Sequence, residues 1–248
     1  MATKISALVL AAGASERMAE PKMLLPFGER TILTATLDAV HQSGACDETI
    51  VVLGANADDV EPTLGASHAR VVRNPEPEAG LSSSLRAGVD AASGADAYMI
   101  LLGDHPLLKG DTVKRLAEKF RGGGKGICVP VFQGVMGHPV FFSSRYRGEL
   151  LALTGDEGAR RLMMKHPGDV LDVHVAEIGV VFDVDDDEDY DEALRLAGLP
   201  PREKPEPIPE PSEELEAEAP DSDDEPEETP PSASENGSTP EDVSSEMA

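Results

Sequence analysis

Short apolar runs alternate along most of the chain with longer segments whose apolar positions recur every three or four residues. The runs "ISALVL" and "AYMILL" are almost continuously apolar, which is typical of strands in a sheet that is covered on both faces. The longer segments have the spacing of amphipathic helices. This alternation predicts a three-layer α/β/α sandwich with a mainly parallel sheet.

The individual elements follow from the same pattern. The predicted strands are 5–10, 49–53, 69–73, 97–102, 126–131 and 139–142, with weaker patterns at 170–175 and 179–182. The predicted helices are 31–42, 57–64, 83–92, 111–120, 156–165 and 187–197. In parallel sheets of this kind, ligands bind at the carboxyl ends of the strands. We therefore expect the loops after Leu10, Arg73 and Leu102 to lie near one another.

The loop after the first strand, "AAGASERMAEPKMLLPFGER", is much longer than the usual strand-to-helix connection of about two to six residues. Gly13 allows the backbone to approach a ligand closely, and Arg17 and Lys22 offer two cations, which together suit a phosphate. The loop matches neither the dinucleotide-binding pattern G-x-G-x-x-G nor the phosphate-loop pattern G-x-x-x-x-G-K-[ST]. The alternative is that both cations are solvated loop charges, as most such residues are.

Composition divides the chain into two parts. The last 48 residues, 201–248, contain 17 acidic and 2 basic residues, ten of the 20 prolines and no aromatic residue. Such a segment cannot bury enough apolar surface to offset the entropy lost on ordering. We predict one folded domain over 1–199 and an acidic, proline-rich disordered tail over 200–248. The tail either keeps the protein soluble or contacts a basic patch on a partner.

Charge and apolar patterning exclude several classes of function. Subtracting the last 48 residues from the totals of 47 acidic and 21 basic residues leaves 30 and 19, a net charge of −11 for residues 1–200. A sequence-general nucleic-acid binder needs a basic face, so we expect no nucleic-acid partner. The chain has no signal-peptide pattern and no membrane-length apolar run, which predicts a cytoplasmic protein with no membrane contact. Cys46 and Cys128 are then expected to be structural thiols.

The first loop also resembles a known signature. The stretch "LAAGASERMAEPKMLLPFG" is similar to L-A-A-G-x-S-x-R-M-x-x-x-K-x-L-L-P in the nucleotidyltransferases related to molybdenum cofactor cytidylyltransferase. Five further segments match in the same order: "NPEPEAGLSSSLRAG" (74–88), "LLGDHPLL" (101–108), "GHPVFF" (137–142), "GDEGARRL" (155–162) and "DVDDDEDY" (183–190). The resemblance implies a Rossmann-like nucleotidyltransferase sheet and an enzyme that transfers a nucleotide to an acceptor phosphate and releases pyrophosphate.

Asp104 follows an apolar strand, where a carboxylate at the edge of the sheet can hold a divalent cation against a triphosphate. An isolated aspartate here would more often cap a helix or a turn. The resemblance makes Asp104 a ligand of Mg²⁺, with Mn²⁺ as the alternative ion, and puts the second ligand at Asp185. Asp183 is a close alternative because the segment is crowded with acids. We expect Asp104 to face solvent, so that its replacement by alanine leaves the core intact.

The resemblance also implies which residues serve the nucleotide. Those for nucleotide binding are Ala11, Ala12, Gly13, Lys22, Asn74, Gly80 and Ser84. Those with a catalytic role are Arg17, Lys22 and Asp104, the two cations stabilising the charge that develops on the leaving pyrophosphate. The alternative for the serines at 82 and 83 is simple helix capping.

The second half of the chain is implied to bind the acceptor, through His138 and Asp156. His138 precedes a proline, which favours an extended backbone, and it is equally compatible with a structural role. Asp156 is equally compatible with capping the helix 156–165. His105 departs from the apolar residue common at this position in the resembled family, and no chemistry follows from a single histidine.

The resemblance finally implies the substrates. Members with A-A-G after the first strand tend to use CTP and those with G-G tend to use GTP, and this chain has Ala11, Ala12 and Gly13. The acceptor would be a molybdopterin-type cofactor, and the product would pass to a molybdenum hydroxylase or its chaperone. Two alternatives stay open, namely transfer of a nucleotide from GTP or CTP to another small acceptor phosphate, and a non-catalytic protein that binds and delivers the cofactor.

Overall fold

The computed structural model of the protein describes residues 3–13, 15, 17–18, 20–65, 69–156 and 158–202. The predicted disordered tail lies outside the described residues from residue 203 onwards. Within the described ranges, no helix has the length and apolar character needed to cross a membrane.

The strands are β1 (Ile5–Ala11), β2 (Pro26–Phe27), β3 (Arg30–Thr31), β4 (Glu48–Leu53), β5 (Ala69–Arg73), β6 (Ala97–Leu102), β7 (Ile127–Phe132), β8 (Val135–Met136), β9 (Val140–Ser143) and β10 (Val170–His174). The α-helices are α1 (Ile32–Ser43), α2 (Ala57–Val60), α3 (Leu81–Ala91), α4 (Gly110–Gly122), α5 (Arg147–Leu151), α6 (Arg160–Lys165) and α7 (Asp187–Ala197). Short 3₁₀ turns occur at Lys22–Leu24, Glu61–Leu64, Pro77–Ala79, Ser144–Tyr146, Pro167–Asp169 and Ile178–Val180.

The main sheet has the strand order β10-β7-β9-β6-β1-β4-β5, with β8 paired to β7. The pairs β1–β4, β1–β6, β4–β5 and β7–β10 are parallel. β9 runs antiparallel to both of its neighbours, β6 and β7. The prediction of a mainly parallel α/β sandwich is therefore confirmed, with one reversed strand inside the sheet.

Both faces of the sheet are buried, and β1 shows how. Ile5, Ala7 and Val9 belong to the hydrophobic cluster that contains the apolar faces of α1 and α4. Leu8 and Leu10 belong to the cluster on the other face, which contains the apolar side of α3. Because successive side chains of a strand point to opposite faces, a strand buried on both sides is apolar at nearly every position, and Ser6 is the one polar residue of β1.

The order of the strands reverses between β1 and β6. From β1 the chain continues to β4 and β5 on one side, and β6 then returns to the other side of β1. When the connections after two adjacent parallel strands run in opposite directions, a crevice forms between them at the carboxyl ends of the strands. Ligands bind in this crevice in open α/β sheets. The topology therefore directs attention to the loops that follow β1 and β6.

A third hydrophobic cluster brings the end of the described chain back to the first loop. Phe27 and Ile32, near the β2–β3 hairpin, pack in one cluster with Val184 and Tyr190. The Tyr190 hydroxyl donates a hydrogen bond to the carbonyl of Pro26 at 2.6 Å. This packing positions the acidic segment before α7 beside the loop that carries Lys22.

Two sequence-based predictions of local structure are wrong. Residues 179–182 do not form a strand, because Ile178–Val180 is a 3₁₀ turn. At this turn Gly179 lies so close to the chain that a Cβ would stand 2.2 Å from the carbonyl oxygen of Leu107. The predicted helix 156–165 begins only at Arg160, and the short α5 was not predicted.

We expect Asp169→Asn to lower the free energy of unfolding at pH 7 by about 1–3 kcal/mol. The carboxylate accepts hydrogen bonds from the Gly126 N–H at 3.0 Å, from the Tyr146 hydroxyl and from the Arg145 guanidinium. Burial opposes the charge of Asp169, but these donors outweigh it and lower its pKa to about 2. A lowered pKa stabilises the fold above the unfolded-state value, so this contribution is lost as the pH falls towards 2.

Urea unfolding at pH 7 and pH 3 measures this effect, with Asp172→Asn, an exposed change on β10, as the matched control. The difference between wild type and Asp169→Asn should shrink at pH 3. Equal stability of the two proteins at pH 7 would contradict the role of the Asp169 carboxylate.

Candidate active site

Lys22 lies near the end of the long loop after β1, at the first position of the 3₁₀ turn Lys22–Leu24. The next residue, Met23, is buried in the core. The Lys22 N–H donates to Ser15 Oγ at 3.0 Å. The turn is thus held by its neighbours, and the Lys22 side chain is directed to the carboxyl ends of β1 and β6.

Asp104 lies two residues beyond β6, and Gly103 brings it to the crevice. A Cβ on Gly103 would lie 2.9 Å from Leu33 Cδ1, 3.0 Å from Ala11 Cβ and 3.1 Å from Met23 Sδ. Only a residue without a side chain fits this approach without a shift of its neighbours. Asp104 is itself buried, so the expectation that it faces solvent is wrong.

Asp183 and Asp185 flank a buried apolar residue. Val184 is fully buried, and its N–H donates to the Asp104 carbonyl at 3.0 Å. This places both flanking carboxylates close to that of Asp104. The next residue, Asp186, caps α7 by accepting hydrogen bonds from the N–H groups of its second and third residues. The acids of this segment therefore separate into a pair at the site and a helix cap.

The cations and carboxylates of the site form a continuous ion-pair network. Lys22 Nζ lies 2.6 Å from Asp104 Oδ2 and 3.0 Å from Asp185 Oδ1. Arg17 Nη2 lies 3.0 Å from Asp185 Oδ2. The Lys22 and Asp104 side chains are only 12% and 8% exposed, whereas that of Arg17 is 67% exposed. Lys22 is thus the inner cation of the network and Arg17 the outer one.

The contacts within this network raise the pKa of some of its members and lower the pKa of others. Burial disfavours the charge of Lys22, but Asp104 and Asp185 outweigh it and raise the pKa of the ammonium group. Burial likewise disfavours the charge of Asp185, but Lys22 and Arg17 lower its pKa. Burial and the nearby Asp104 raise the pKa of Asp183. Close like charges at Asp183 and Asp104 are what a divalent cation between them would relieve.

Three carboxylates of the site suit a divalent metal ion. One oxygen each from Asp104, Asp183 and Asp185 lies within 4.8 Å of the other two. Asp104 Oδ1 is buried and has no hydrogen-bond partner among the described residues. Carboxylate oxygens are the ligands preferred by hard cations such as Mg²⁺ and by Mn²⁺. The donor set and the unpartnered oxygen therefore fit a divalent cation.

A cavity of about 300 Å³ opens beside Lys22 and Asp104. Its walls come from the loops after β1, β5 and β6 and from the loop before α6. They consist of Leu10, Ala12, Gly13, Lys22, Met23, Pro77, Gly80, Leu81, Ser84, Leu102, Asp104 and Asp156. The three loops singled out in the sequence do meet at one place, and the cavity joins them to the charged network.

Asn74 lies behind the cavity wall and fixes two serine hydroxyls. Its Nδ2 donates to Ser83 Oγ at 2.7 Å and to Ser84 Oγ at 3.0 Å, and its Oδ1 accepts from the Glu76 N–H. The Ser83 hydroxyl in turn donates to the Gly80 carbonyl at 2.8 Å. Ser84, which lines the cavity, accepts the hydrogen bond from Asn74, and its hydroxyl proton is donated to none of the described residues, so it can be donated to a ligand.

Gly80 precedes α3 and allows a second loop to close against it. Its φ is +88°, and a Cβ would lie 2.5 Å from the Gly155 carbonyl carbon and 2.6 Å from Asp156 Oδ1. The Ser82 N–H donates to the Gly155 carbonyl at 3.0 Å. Asp156 thus faces the cavity and is not the cap of α6, which begins at Arg160.

His138 and His105 pack together next to Asp104, with His105 Nε2 4.0 Å from Asp104 Oδ1. Their ring centroids are 5.3 Å apart, and His138 Nδ1 lies 3.4 Å from the Ile100 carbonyl. Burial and the nearby His105 lower the pKa of His138 to about 4, so its imidazole is neutral at neutral pH. His105 is almost fully buried, with Nδ1 3.3 Å from the Gly179 carbonyl. Neither imidazole is among the residues that line the cavity.

The structure brings most of the sequence-predicted site residues together. Those that line the cavity are Ala12, Gly13, Lys22, Gly80, Ser84, Asp104 and Asp156. Arg17 and Asp185 join them through the ion pairs around Lys22. Ala11 is buried in β1, and Asn74 and His138 lie behind the walls.

The cavity also has apolar walls, which no chemical motif in the sequence indicates. Pro77 and Leu81 lie on either side of Gly80, and Leu102 ends β6. The only signal for these residues is their position in the chain, within three residues of Gly80 or Asp104. Asp183, the alternative to Asp185 as second metal ligand, lies in the site as well, because the buried Val184 between them places both aspartates near Asp104.

The fold and the site together define a class of protein: an α/β sandwich whose strand-order reversal carries a cation and a carboxylate triad beside a ligand-sized cavity. Residues 7–170 match the family model described as the MobA-like NTP transferase domain. The chain belongs to this family, and it is an enzyme of the nucleotidyltransferase type. The resemblance deduced from the sequence motifs is confirmed.

Individual relatives lie at moderate identity. The chain is 31% identical over 172 residues to nicotine blue oxidoreductase of Paenarthrobacter nicotinovorans, covering 66% of this chain and 83% of that protein. It is 26% identical over 187 residues to molybdenum cofactor cytidylyltransferase of Escherichia coli strain K12, covering 75% and 93%. The crystal structure of Rv0371C from Mycobacterium tuberculosis H37Rv in complex with manganese is 32% identical, with a TM-score of 0.66 and coverage of 78% of this chain and 99% of that one.

Proposed function

We propose that the protein transfers CMP from CTP to the terminal phosphate of a molybdenum-bearing molybdopterin, which gives the cytosine dinucleotide form of the cofactor and pyrophosphate. The observation that supports this best is a carboxylate triad of Asp104, Asp183 and Asp185 beside the cavity, with Lys22 paired to Asp104 and Asp185. Such a site offers both a cation and metal ligands to a triphosphate. The relative named molybdenum cofactor cytidylyltransferase supports the choice of reaction.

The proposed reaction asks for little covalent chemistry from the protein. An oxygen of the acceptor phosphate attacks the α-phosphorus of the nucleotide, a new P–O bond forms, and the bond from the α-phosphorus to the bridging oxygen breaks. The acceptor phosphate is already an anion at neutral pH, so no general base is required. The protein must place the two phosphates in line and stabilise the charge that gathers on the leaving pyrophosphate.

Lys22 and Arg17 carry the charge stabilisation in this proposal. Both are within 3.0 Å of a carboxylate, and a triphosphate would supply new anionic partners for them. Lys22, being buried, would act in a region of low dielectric, where a cation stabilises a developing anion more than it would in water. Arg17, being exposed, would act at the entrance.

Asp104 and Asp185, with Asp183 beside them, would hold Mg²⁺, and Mn²⁺ is the alternative ion. The bound cation would neutralise and polarise the phosphate oxygens. Asp104 Oδ1 accepts no hydrogen bond from the part of the chain that the structure describes and is available for this role, and the manganese complex of the mycobacterial relative is consistent with a divalent ion in the family.

The nucleotide is proposed to lie over Ala12 and Gly13, with Gly80 allowing a close approach and Ser84 donating a hydrogen bond. Asn74 would act indirectly, by holding the serine hydroxyls, and Ala11 by its place in β1 beneath the loop. The preference for CTP rests on the A-A-G sequence of this loop, which resembles the members that use CTP.

The acceptor is proposed to enter from the side of Asp156, which faces the cavity from the loop before α6. His138 lies behind this site and is neutral, so it would shape the acceptor site rather than neutralise a phosphate. A molybdenum hydroxylase or its chaperone would be the partner that receives the product.

Product analysis tests this function. The purified protein is incubated with Mg²⁺, molybdenum-bearing molybdopterin and either CTP or GTP, and the pterin products are identified by mass spectrometry. We expect the cytosine dinucleotide with CTP and little product with GTP. A guanine dinucleotide, or a product only with a different acceptor phosphate, would indicate a related transferase. Binding of the cofactor without any product would indicate the alternative function, a non-catalytic protein that delivers the cofactor. Because one relative is named an oxidoreductase, family membership does not replace a direct assay of nucleotide transfer.

We also propose that the acidic tail is dispensable for folding and transfer. The truncation is placed after residue 203, beyond the predicted boundary at 199, so that it keeps Arg202, whose Nη1 lies 2.5 Å from Asp187 Oδ1 on α7. A chain ending after residue 203 should melt within about 2 °C of the full chain and keep its turnover, since acidic low-complexity segments bury little apolar surface. Calorimetry and the transfer assay measure both, and a marked loss in either would contradict the proposal.

A further inference from the structure

Lys22 occupies the position between two of the carboxylates that are suited to a metal ion. Its Nζ is within 3.0 Å of both Asp104 Oδ2 and Asp185 Oδ1, and Arg17 holds the second oxygen of Asp185. The only buried oxygen of this triad that lacks a hydrogen-bond partner among the described residues is Asp104 Oδ1. The ammonium group and a divalent cation would therefore compete for the same carboxylates.

We propose that Lys22 is a resident counter-ion that keeps divalent metal ions off the Asp104–Asp185 pair until a nucleoside triphosphate arrives, so that metal and nucleotide bind as one unit. This inference rests on the proposed function, because it assumes that the triad binds the metal and that Lys22 contacts the triphosphate. It adds that the free protein takes up the metal poorly.

The charges of the site explain the exclusion. With Lys22 and Arg17 in place, two cations offset most of the charge of three carboxylates, so a free divalent cation is attracted weakly and is repelled by an ammonium group a few ångströms away. Lys22 is only 12% exposed, so moving away from the carboxylates would leave its charge buried without a partner. A metal ion that binds without a nucleotide must therefore displace Lys22 from its partners, which is unfavourable.

A bound triphosphate would make the displacement of Lys22 from the carboxylates favourable. Its oxygens give Lys22 and Arg17 new anionic partners close to their present positions, and the carboxylates become available to the metal ion. Metal and nucleotide then raise each other's affinity, and this coupling must be reciprocal. Removing the charge of Lys22 should raise the affinity for metal alone and reduce the coupling.

Binding of Mn²⁺ to the full chain tests the proposal without any turnover. Free Mn²⁺ is measured by electron paramagnetic resonance during titration of wild type, Lys22→Met and Lys22→Arg. We expect Lys22→Met to bind Mn²⁺ at least about tenfold more tightly than wild type, since a like charge in the binding site has been removed. Lys22→Arg, which keeps the charge, should behave like wild type. Lys165→Met, which removes a lysine paired with Glu149 on the surface, is the matched control and should have no effect.

Equilibrium dialysis with α,β-methylene CTP, which cannot transfer CMP, then measures the coupling. In wild type the protein-bound Mn²⁺ should rise at least about tenfold when the analogue is added at a fixed free Mn²⁺ concentration, and in Lys22→Met this rise should be much smaller. The same dialysis of wild type and Lys22→Met with α,β-methylene GTP measures the coupling for a guanine nucleotide.

The outcomes separate the two proposals. Equal Mn²⁺ affinity of wild type and Lys22→Met, with Mn²⁺ binding lost in Asp104→Asn, would overturn the counter-ion role and leave the metal site in place. Mn²⁺ binding that is unaffected by Asp104→Asn, or absent with and without nucleotide, would overturn both. A thermal melt shows that each variant is folded before it is titrated.

Discussion

Asp104→Asn is expected to lower kcat for nucleotidyl transfer by about 10³-fold or more, while the protein remains folded. Asn keeps the size of the side chain and can still accept a hydrogen bond from Lys22, but it removes the carboxylate charge, including that on Oδ1, which accepts no hydrogen bond from the described residues. The loss would therefore fall on metal binding and on phosphate neutralisation.

The choice of Asn over Ala follows from the burial of Asp104. Alanine would leave the Lys22 ammonium with Asp185 as its remaining partner in a largely buried place, which destabilises the fold as well as the site. Circular dichroism and a thermal melt separate the two effects. Asp187→Asn, an exposed acid nearby that pairs with Arg202, is the matched control and should keep wild-type turnover. An Asp104→Asn enzyme with more than about a tenth of wild-type kcat would contradict a metal role for this carboxylate.

Lys22→Met is expected to lower kcat by about 10²–10³-fold, with a smaller change in KM for the acceptor. The reason is that the buried cation acts on charge that is greatest in the transition state, as pyrophosphate departs. Arg17→Met removes the exposed cation and should cost only about tenfold, because solvent screens its charge.

Steady-state kinetics with the nucleotide and the acceptor varied in turn measure both variants. The comparison is informative because the two cations share Asp185 and differ mainly in burial. If Arg17→Met proved the more damaging of the two, the assignment of Lys22 as the inner catalytic cation would be wrong.

The sheet was predictable because burial on both faces leaves a direct trace in the sequence. The runs that form β1 and β6 are apolar at nearly every position, and a chain of such runs separated by helical spacing has few alternative folds. The reversed strand β9 was not predictable as such, since an apolar pattern indicates that a strand is buried and does not indicate its direction. Residues 179–182 have a strand-like composition, but the close packing of Gly179 on the Leu107 carbonyl leads to a turn.

The site was predictable where chemistry needs a particular residue and not where packing decides. Lys22, Asp104 and Asp185 are charged residues in motifs that suit a triphosphate and a metal ion, and the structure brings their side chains together. The burial of Asp104 was missed, because it depends on the contact of Gly103 with Ala11 and Met23, which are distant in the chain or belong to another loop. Asn74 could be placed near the cavity by sequence, but its use in holding Ser83 and Ser84 is visible only in three dimensions.

Pyrophosphate release tests the central claim most directly. The purified protein is given CTP and Mg²⁺ with and without molybdenum-bearing molybdopterin, and Asp104→Asn is assayed beside it. The account predicts release that requires the acceptor and that falls to background in Asp104→Asn. No release above background with the acceptor present, or equal release by wild type and Asp104→Asn, would contradict it.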